Sequence, residues 1–125
     1  MKYGRLLTAA TCALLIALAT GTQAFAEGPY GAIATEKGND QAIGHATGYG
    51  TKEAAVAAAI SECNKYTDGK DDCTLRVWFH KERCASYAAD SKSYNYYFGG
   101  SKSEVIRKAE ADGWHSDEIL VAACN

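Results

Sequence analysis

The sequence predicts one small α+β domain, made of two pseudo-symmetric ββαβ repeats and stapled by disulfides. Three observations predict this fold class. The order strand, strand, helix, strand can be traced twice along the 125 residues, both predicted helices begin at a hydroxyl side chain, and four cysteines remain once an N-terminal export signal is set aside. Repeats this short cannot each bury an apolar face alone, so we expect them to share one core.

The first 26 residues are predicted to be a secretory signal peptide. Lys2 and Arg5 form a short positive region, and residues 6–19 form an uncharged apolar stretch. Ala24-Phe25-Ala26 then supplies the small–x–small pattern that signal peptidase recognises. The apolar stretch is shorter than the roughly 20 residues that a membrane span requires. We therefore expect a secreted protein, extracellular or periplasmic according to the cell envelope, with no membrane span.

Cleavage between Ala26 and Glu27 leaves residues 27–125 as the mature domain. This domain keeps 11 basic residues against 15 acidic ones, a net charge of −4 with neutral histidines. Binding to a phosphate backbone relies on clustered lysine and arginine side chains. We therefore expect no nucleic acid among the partners.

The first repeat is predicted over residues 29–80 and opens with the short apolar strand Tyr30–Ala34. The second strand, Gln41–Tyr49, alternates bulky side chains with glycine and alanine. This period-two pattern is typical of a strand, here with one face of small residues only. Thr51 is the predicted N-cap of a helix over Lys52–Asn64.

The packing of the first repeat is predicted from residues at helical and strand spacing. The helix is expected to bury the stripe Val56, Ile60 and Cys63, and its alanines allow a close approach to the small-residue face of the second strand. The third strand is predicted over Cys73–Phe79. Its alternate apolar residues are expected to share one face: Cys73, Leu75, Val77 and Phe79.

The second repeat is predicted over residues 84–125, with the same order of elements. Its strands are expected over Cys84–Asp90, Ser93–Phe98 and Glu118–Cys124. Ser101 and Glu104 have the spacing of a capping box at the start of the helix. Gly113 can take the left-handed conformation that ends a helix.

The four mature cysteines are predicted to form two disulfides, since an even number in a small exported domain is typical of a disulfide framework. Three connectivities are possible. The repeat favours Cys63–Cys73, which joins the first helix to the strand below it, and Cys84–Cys124, which joins the outer ends of the second repeat. A zinc site is the alternative, but the sequence has no CxxC pair and no histidine at zinc-finger spacing. A catalytic thiol would need a partner histidine and protection from oxidation.

Several segments occur in an order that points to one family: Tyr30–Ala34, the alanine-rich helix ending in Cys63, Cys73 with the strand Leu75–Phe79, the restart at Cys84, and the closing Ala122–Asn125. In this order they resemble a family of small exported bacterial proteins, common in mycobacteria and other bacteria, that is catalogued as domain of unknown function 4189 (DUF4189). The resemblance covers nearly the whole mature chain and implies a duplicated ββαβ unit, with no established reaction and no agreed catalytic residues. The chain departs from the family at Ser86-Tyr87, which replaces a more usual alanine followed by an aliphatic residue.

The three histidines are the candidates for chemistry in the mature chain. His45 lies in the second strand, His80 follows the third, and His115 precedes the last. A metal site shared by His80 and His115 stays open, although the usual ligand spacing is missing. The mature sequence has none of the short patterns of serine hydrolases, zinc metalloproteases or phosphate-binding loops. We therefore expect no cofactor and no enzymatic activity.

Aromatic side chains are the most distinctive remaining feature. A possible binding surface consists of six residues that combine aromatic rings with one guanidinium: Tyr49, Arg76, Trp78, Tyr94, Tyr96 and Phe98. Tyrosine, tryptophan and arginine are enriched at interaction hot spots. The alternative is that the tyrosine-rich strand supplies the core of the second repeat.

Two functional hypotheses follow from these residues. The first is a secreted, non-enzymatic interaction or effector-like module that binds an extracellular or host macromolecule, a protein or another polymer, through its aromatic face. The second is a small extracellular hydrolase, or an inhibitor of one, with His45, His80 or His115 in its site. A flat, exposed tyrosine and tryptophan patch favours the first hypothesis. A concave pocket where a histidine meets a carboxylate favours the second.

Overall fold

The computed structural model describes residues 29–125, so the predicted signal peptide and its cleavage site at Ala26 and Glu27 lie outside the described residues. The strands in this range are β1 (Tyr30–Glu36), β2 (Ile43–Tyr49), β3 (Cys73–Phe79), β4 (Cys84–Ala89), β5 (Tyr94–Gly99) and β6 (Ile119–Cys124). The helices are α1 (Lys52–Asn64), α2 (Lys102–Ala111) and a short 3₁₀ helix (Ser116–Glu118). This order confirms the predicted α+β class with two ββαβ-like units.

Both α-helices begin at the predicted N-caps. The Thr51 hydroxyl accepts a hydrogen bond from the backbone N–H of Ala54 at 3.1 Å. The Ser101 hydroxyl accepts one from the N–H of Glu104 at 3.2 Å. The Glu104 carboxylate accepts from the N–H of Gly100 at 2.8 Å, so the box closes one residue before the N-cap.

Helix α2 ends at the predicted glycine. Gly113 has φ +102°, a conformation that favours glycine. Its N–H donates to the carbonyl of Glu110 at 3.0 Å, and the N–H of Trp114 donates to the carbonyl of Ala109 at 3.1 Å. This pair of bonds is a Schellman motif, which satisfies carbonyls that the helix leaves without partners.

The strands form two three-stranded antiparallel sheets, with the orders β2–β1–β3 and β5–β4–β6. The sheets face each other across a core that takes residues from both repeats, including Ile33 and Phe79 of the first sheet and Ala85 and Tyr87 of the second. Helix α1 covers the outer face of the first sheet, and α2 covers the outer face of the second. The described part of the chain is therefore layered as helix, sheet, sheet, helix.

Small residues make the contact between α1 and its sheet, and this corrects the predicted helix stripe. The fully buried helix residues are Ala55, Ala59 and Cys63. Val56 and Ile60, which were expected in the stripe, are only partly buried at its border. A Cβ atom added to Gly44 would lie 2.3 Å from the backbone nitrogen of Cys63. The buried positions are Ala55 and Ala59, each one residue before the predicted Val56 and Ile60, while Cys63 is buried as predicted. The helix backbone rests directly on β2, and the larger side chain of valine or isoleucine in this contact would keep the helix and the strand apart.

Strand β3 does not present its alternate residues on one face, as the sequence predicted. The ladder between β1 and β3 passes over Arg76, which has no register partner. Such a bulge shifts the alternation of side chains by one residue. Cys73 and Leu75 therefore pack near α1, while Val77 and Phe79 lie between the sheets.

The second repeat has a bulge at the equivalent place, because the ladder between β4 and β6 passes over Leu120.

Ser86 and Tyr87 of β4, where the chain departs from the family pattern, are completely buried. The Ser86 hydroxyl donates to the carbonyl of Val105 in α2 at 3.0 Å. The Tyr87 hydroxyl donates to the Asp40 carboxylate of the first repeat at 3.0 Å. These polar groups fit the core because each has a hydrogen-bond partner.

The structure contains both disulfides in the predicted pairing. Cys63–Cys73 joins the end of α1 to the start of β3. Cys84 and Cys124 are register partners on β4 and β6, with Cα atoms 4.0 Å apart. Disulfides in a small domain are typical of an oxidising, extracellular environment.

Candidate functional site

The two sheets are stacked with an offset, which opens a cleft along one side. Strand β3 lies against β4, and β2 lies against β6. On that β2 side, the Asn125 side chain accepts a hydrogen bond from the N–H of Gly48 at 3.0 Å. On the opposite side β5 extends beyond β3. Tyr96 is therefore 41% exposed, although its β4 partner on the same face, Tyr87, is fully buried.

The cleft has a volume of about 500 Å³. Its walls are Leu75–Trp78 of β3, the following loop His80–Glu82, and Tyr96 and Phe98 of β5. We call this site the aromatic cleft. It brings together four members of the predicted binding surface, Arg76, Trp78, Tyr96 and Phe98, from both repeats.

Trp78 forms an exposed wall of the aromatic cleft, with 40% of its surface accessible. The Lys52 ammonium lies 4.4 Å from the centre of its ring, within the range of a cation–π contact. The Tyr30 ring lies 6.4 Å from Trp78 and stacks on His80 with ring centres 3.9 Å apart. Nδ1 of His80 is 3.0 Å from the carbonyl oxygen of Pro29. Stacking and this hydrogen bond together hold the imidazole in one orientation.

Arg76 is held in the cleft by a cluster that joins the two repeats. Its Nε donates to the Thr35 hydroxyl at 2.7 Å, and its Nη2 lies 3.4 Å from the Asp40 carboxylate. The Thr35 hydroxyl donates to the same carboxylate, and Tyr87 donates to it from the second sheet. The guanidinium carbon lies 5.2 Å from the centre of the Tyr94 ring. We call Thr35, Asp40, Arg76 and Tyr87 the Asp40 cluster.

Burial raises the pKa of Tyr87 to about 12, and the hydrogen bond to Asp40 adds to this shift because a phenolate would face a carboxylate. Tyr87 is therefore a neutral hydrogen-bond donor at ordinary pH. The cluster gives Arg76 a fixed position at the edge of the cleft, so the guanidinium loses little conformational freedom when a ligand arrives.

Tyr96 and Phe98 form the floor of the cleft. Their ring centres are 5.6 Å apart and the rings meet edge to face at 67°. Phe98 packs against the core between the sheets, whereas Tyr94 and Tyr96 are exposed. The tyrosine-rich strand is therefore core at one end and surface at the other.

The remaining predicted residues lie elsewhere. Tyr49 is the register partner of Tyr30 and does not line the cleft. His45 is exposed on β2. His115 lies in a separate polar pocket of about 550 Å³ with Glu118, so the structure does not bring it together with His80.

The loop after β3 is not part of the binding surface predicted from the sequence. His80, Lys81 and Glu82 nevertheless line the cleft. The signal that could have placed them is the group of charged residues directly after a strand that also carries Arg76 and Trp78. Among the hydrogen bonds of residues 29–125, none joins His80 to Glu82, and the cleft lining contains no serine, threonine or cysteine.

Within the range that the structure describes, no three histidine, cysteine, aspartate or glutamate side chains are grouped so that they could hold a metal ion. Nor does any helix of that range have the length and apolar character to cross a membrane. The groups that a ligand could contact in the aromatic cleft are the aromatic faces, one oriented imidazole and the charged side chains of Arg76, Lys81 and Glu82.

The comparison with protein families fits this architecture. The sequence profile described as "Domain of unknown function (DUF4189)" matches residues 30–116, which include both α-helices and every residue of the aromatic cleft. No curated protein and no solved structure matches the chain. The match spans more than half of the sequence, and the chain therefore belongs to the DUF4189 family.

Proposed function

We propose that this protein is an exported, non-enzymatic binding module whose aromatic cleft holds a macromolecule outside the cell. The observation that carries the proposal is the exposure of Trp78 and Tyr96, which both line one open cleft and are 40% and 41% exposed. When a partner covers apolar surface that was in contact with water, the free energy falls by about 25 cal/mol for each Å² removed from water. Tyrosine and tryptophan also offer a polar end for hydrogen bonding, which suits a surface that is wet when free and dry when bound.

The cleft is preorganised, which supports binding. The Asp40 cluster holds Arg76, and stacking on Tyr30 holds His80. Immobilising a flexible side chain on binding costs about 0.5–1.5 kcal/mol, and side chains that are already fixed avoid most of this cost. Arginine is, with tryptophan and tyrosine, among the residues enriched at the energetic centres of interfaces.

Export is proposed on the predicted signal peptide, and the two disulfides are consistent with it. The partner is therefore expected among extracellular or host macromolecules. Lys52 beside Trp78 and Lys81 in the loop give the cleft basic groups, in a mature domain whose net charge is −4.

Capture of partners by the oxidised domain, with matched variants, tests this function. The mature protein and its Trp78→Ala, Tyr96→Ala and Tyr66→Ala variants are immobilised and exposed to extracellular and host-surface fractions. Tyr66 is the control because it is 62% exposed and lies outside the cleft. We expect Trp78→Ala and Tyr96→Ala each to weaken retention by roughly 30-fold, the effect of a hot-spot residue worth about 2 kcal/mol. Equal retention by all four proteins would contradict the proposal.

The hydrolase alternative rests on one specific observation, the oriented ring of His80. A general base needs a fixed imidazole, and the Pro29 carbonyl together with Tyr30 fixes this one. The macromolecules captured in this experiment distinguish the two functions. A binding module leaves captured macromolecules intact, whereas a hydrolase would cut them in a way that His80→Gln abolishes.

A further inference from the structure

We propose that the aromatic cleft takes an extended segment of a partner protein, which adds as a strand beside β3 and lays an apolar side chain on Tyr96 and Phe98. This inference rests on the proposed function, since it names the class of partner for the same cleft. The cleft borders the edge of a sheet, where a polypeptide backbone can pair.

The lining of the cleft places it along the edge of β3. Leu75 and Trp78 lie on the side of the first sheet that faces α1, whereas Val77 lies on the side that faces the second sheet. All three line the same cleft. A cleft that touches both faces of one strand runs along the edge of that strand. Strand β3 is the last strand in the order β2–β1–β3, so this edge has no neighbouring strand within the described residues.

The floor of the cleft lies where an added strand would need cover. Strand β5 extends past β3, with Tyr96 and Phe98 on the face that looks toward the first sheet. Beyond the bulge at Arg76, β3 pairs with β1 in regular register from Val77 to Phe79. A segment paired there would continue the first sheet over β5. Its backbone would supply hydrogen bonds, and its alternate side chains would meet the aromatic floor.

Charge selects the segment. The Arg76 guanidinium is already paired with the Asp40 carboxylate. The remaining charges at the cleft are the ammonium groups of Lys81 and of Lys52, which lies over Trp78, and the carboxylate of Glu82. An acidic side chain next to the apolar one would therefore be attracted to the site.

Selection from a library of random linear peptides on the oxidised mature protein provides the probe. The strongest selected peptide is then synthesised in two further forms, each methylated on one alternate set of backbone nitrogens. We expect the peptide to alternate apolar and polar residues and to carry an acidic one. On binding, the β3 amide hydrogens that point away from β1 should exchange at least about tenfold more slowly. One methylated form should lose binding and the other should keep it, because only one set of N–H groups faces β3.

Three outcomes would overturn the inference. The first is that no linear peptide is selected, although the protein captures a partner through Trp78 and Tyr96, and this leaves the proposed function intact. The second is that a selected peptide leaves β3 exchange unchanged, or that both methylated forms bind equally well. The third is a dimer in sedimentation whose β3 amides are already slow without peptide, since that would assign the edge to a second copy. Loss of all capture through the cleft would instead remove the proposed function itself.

Discussion

At the scale of single residues, the first repeat depends on the absence of side chains where α1 crosses β2. Besides the 2.3 Å approach to Cys63, a Cβ atom on Gly44 would lie 2.4 Å from the carbonyl oxygen of Ala59. Both neighbouring atoms belong to the helix backbone, which cannot move aside as a flexible side chain can. The helix and the sheet would have to separate to admit even one methyl group.

We expect Gly44→Ala to lower the free energy of unfolding by about 1–3 kcal/mol, the usual effect of overpacking a core. Gly100→Ala is the matched control, because the nearest atom to its Cβ position is a Glu104 carboxylate oxygen at 3.6 Å. Chemical denaturation measures both variants. Equal stability of Gly44→Ala, Gly100→Ala and the unchanged protein would show that α1 does not rest on β2 in this way.

Tyr87 is expected to make the stability of the protein fall as the pH rises through the alkaline range. Its pKa is raised from the ordinary 10.0 to about 12 in the folded state, so the folded state favours the neutral phenol. The resulting stabilisation is complete below pH 10 and is lost as the pH rises towards 12. Two pKa units correspond to about 2–3 kcal/mol. Unfolding measured across this range should show a decline that is smaller in Tyr87→Phe than in Tyr66→Phe, whose ring is exposed. A decline of the same size in both variants would contradict this assignment.

At the scale of elements, each disulfide fastens a different kind of junction. Cys63–Cys73 spans 10 positions and pins the loop between α1 and β3, whereas Cys84–Cys124 spans 40 positions and holds the last strand against β4. Restricting a longer loop removes more conformational entropy from the unfolded chain. The second disulfide is therefore expected to stabilise the protein more.

In the chain-entropy description the two bridges contribute about 2.7 and about 3.9 kcal/mol for separations of 10 and 40. We expect the Cys84→Ala, Cys124→Ala double variant to melt at a lower temperature than the Cys63→Ala, Cys73→Ala variant, with both below the unchanged protein. Calorimetry of the three proteins measures this order. A reversed order would show that native packing, and not loop closure, sets the contribution of each bridge.

The bounds of the elements follow from local chemistry and were predictable to within about two residues. Thr51 and Ser101 begin helices because their hydroxyl groups cap the first turn, and Gly113 ends one because glycine can take a positive φ. The alternation of bulky and small side chains along β2 can be read directly from the sequence. The bulge at Arg76 was not predictable, because it depends on how β3 pairs with a distant strand. For the same reason the sequence suggested an aromatic surface but not the cleft, which requires the offset between two sheets.

At the scale of the whole molecule, the two repeats pack together through one shared core. Their inner faces form this core, and the Asp40 carboxylate of the first repeat accepts a hydrogen bond from the Tyr87 hydroxyl of the second. Neither sheet has another apolar layer to cover its inner face within the described residues. The offset that opens the aromatic cleft is likewise a property of the pair and of neither repeat alone.

Residues 29–80 expressed alone are therefore expected to be unfolded, because separation exposes Ile33, Val77 and Phe79, which are at most 5% exposed in the intact protein. Near-ultraviolet circular dichroism and amide-proton dispersion measure this, with the intact mature chain as the reference. A fragment with native-like dispersion would show that the first repeat is stable without its partner.

Hydroxyl-radical footprinting of the oxidised protein, alone and with its captured partner, tests the aromatic cleft as the binding site most directly. Trp78, Tyr96 and Tyr66 are all exposed in the free protein, at 40%, 41% and 62%, so each reports on its own surroundings. We expect the partner to suppress modification of Trp78 and Tyr96 while Tyr66 is modified as before. Unchanged modification of Trp78 and Tyr96 in the complex, with protection elsewhere on the molecule, would contradict the account.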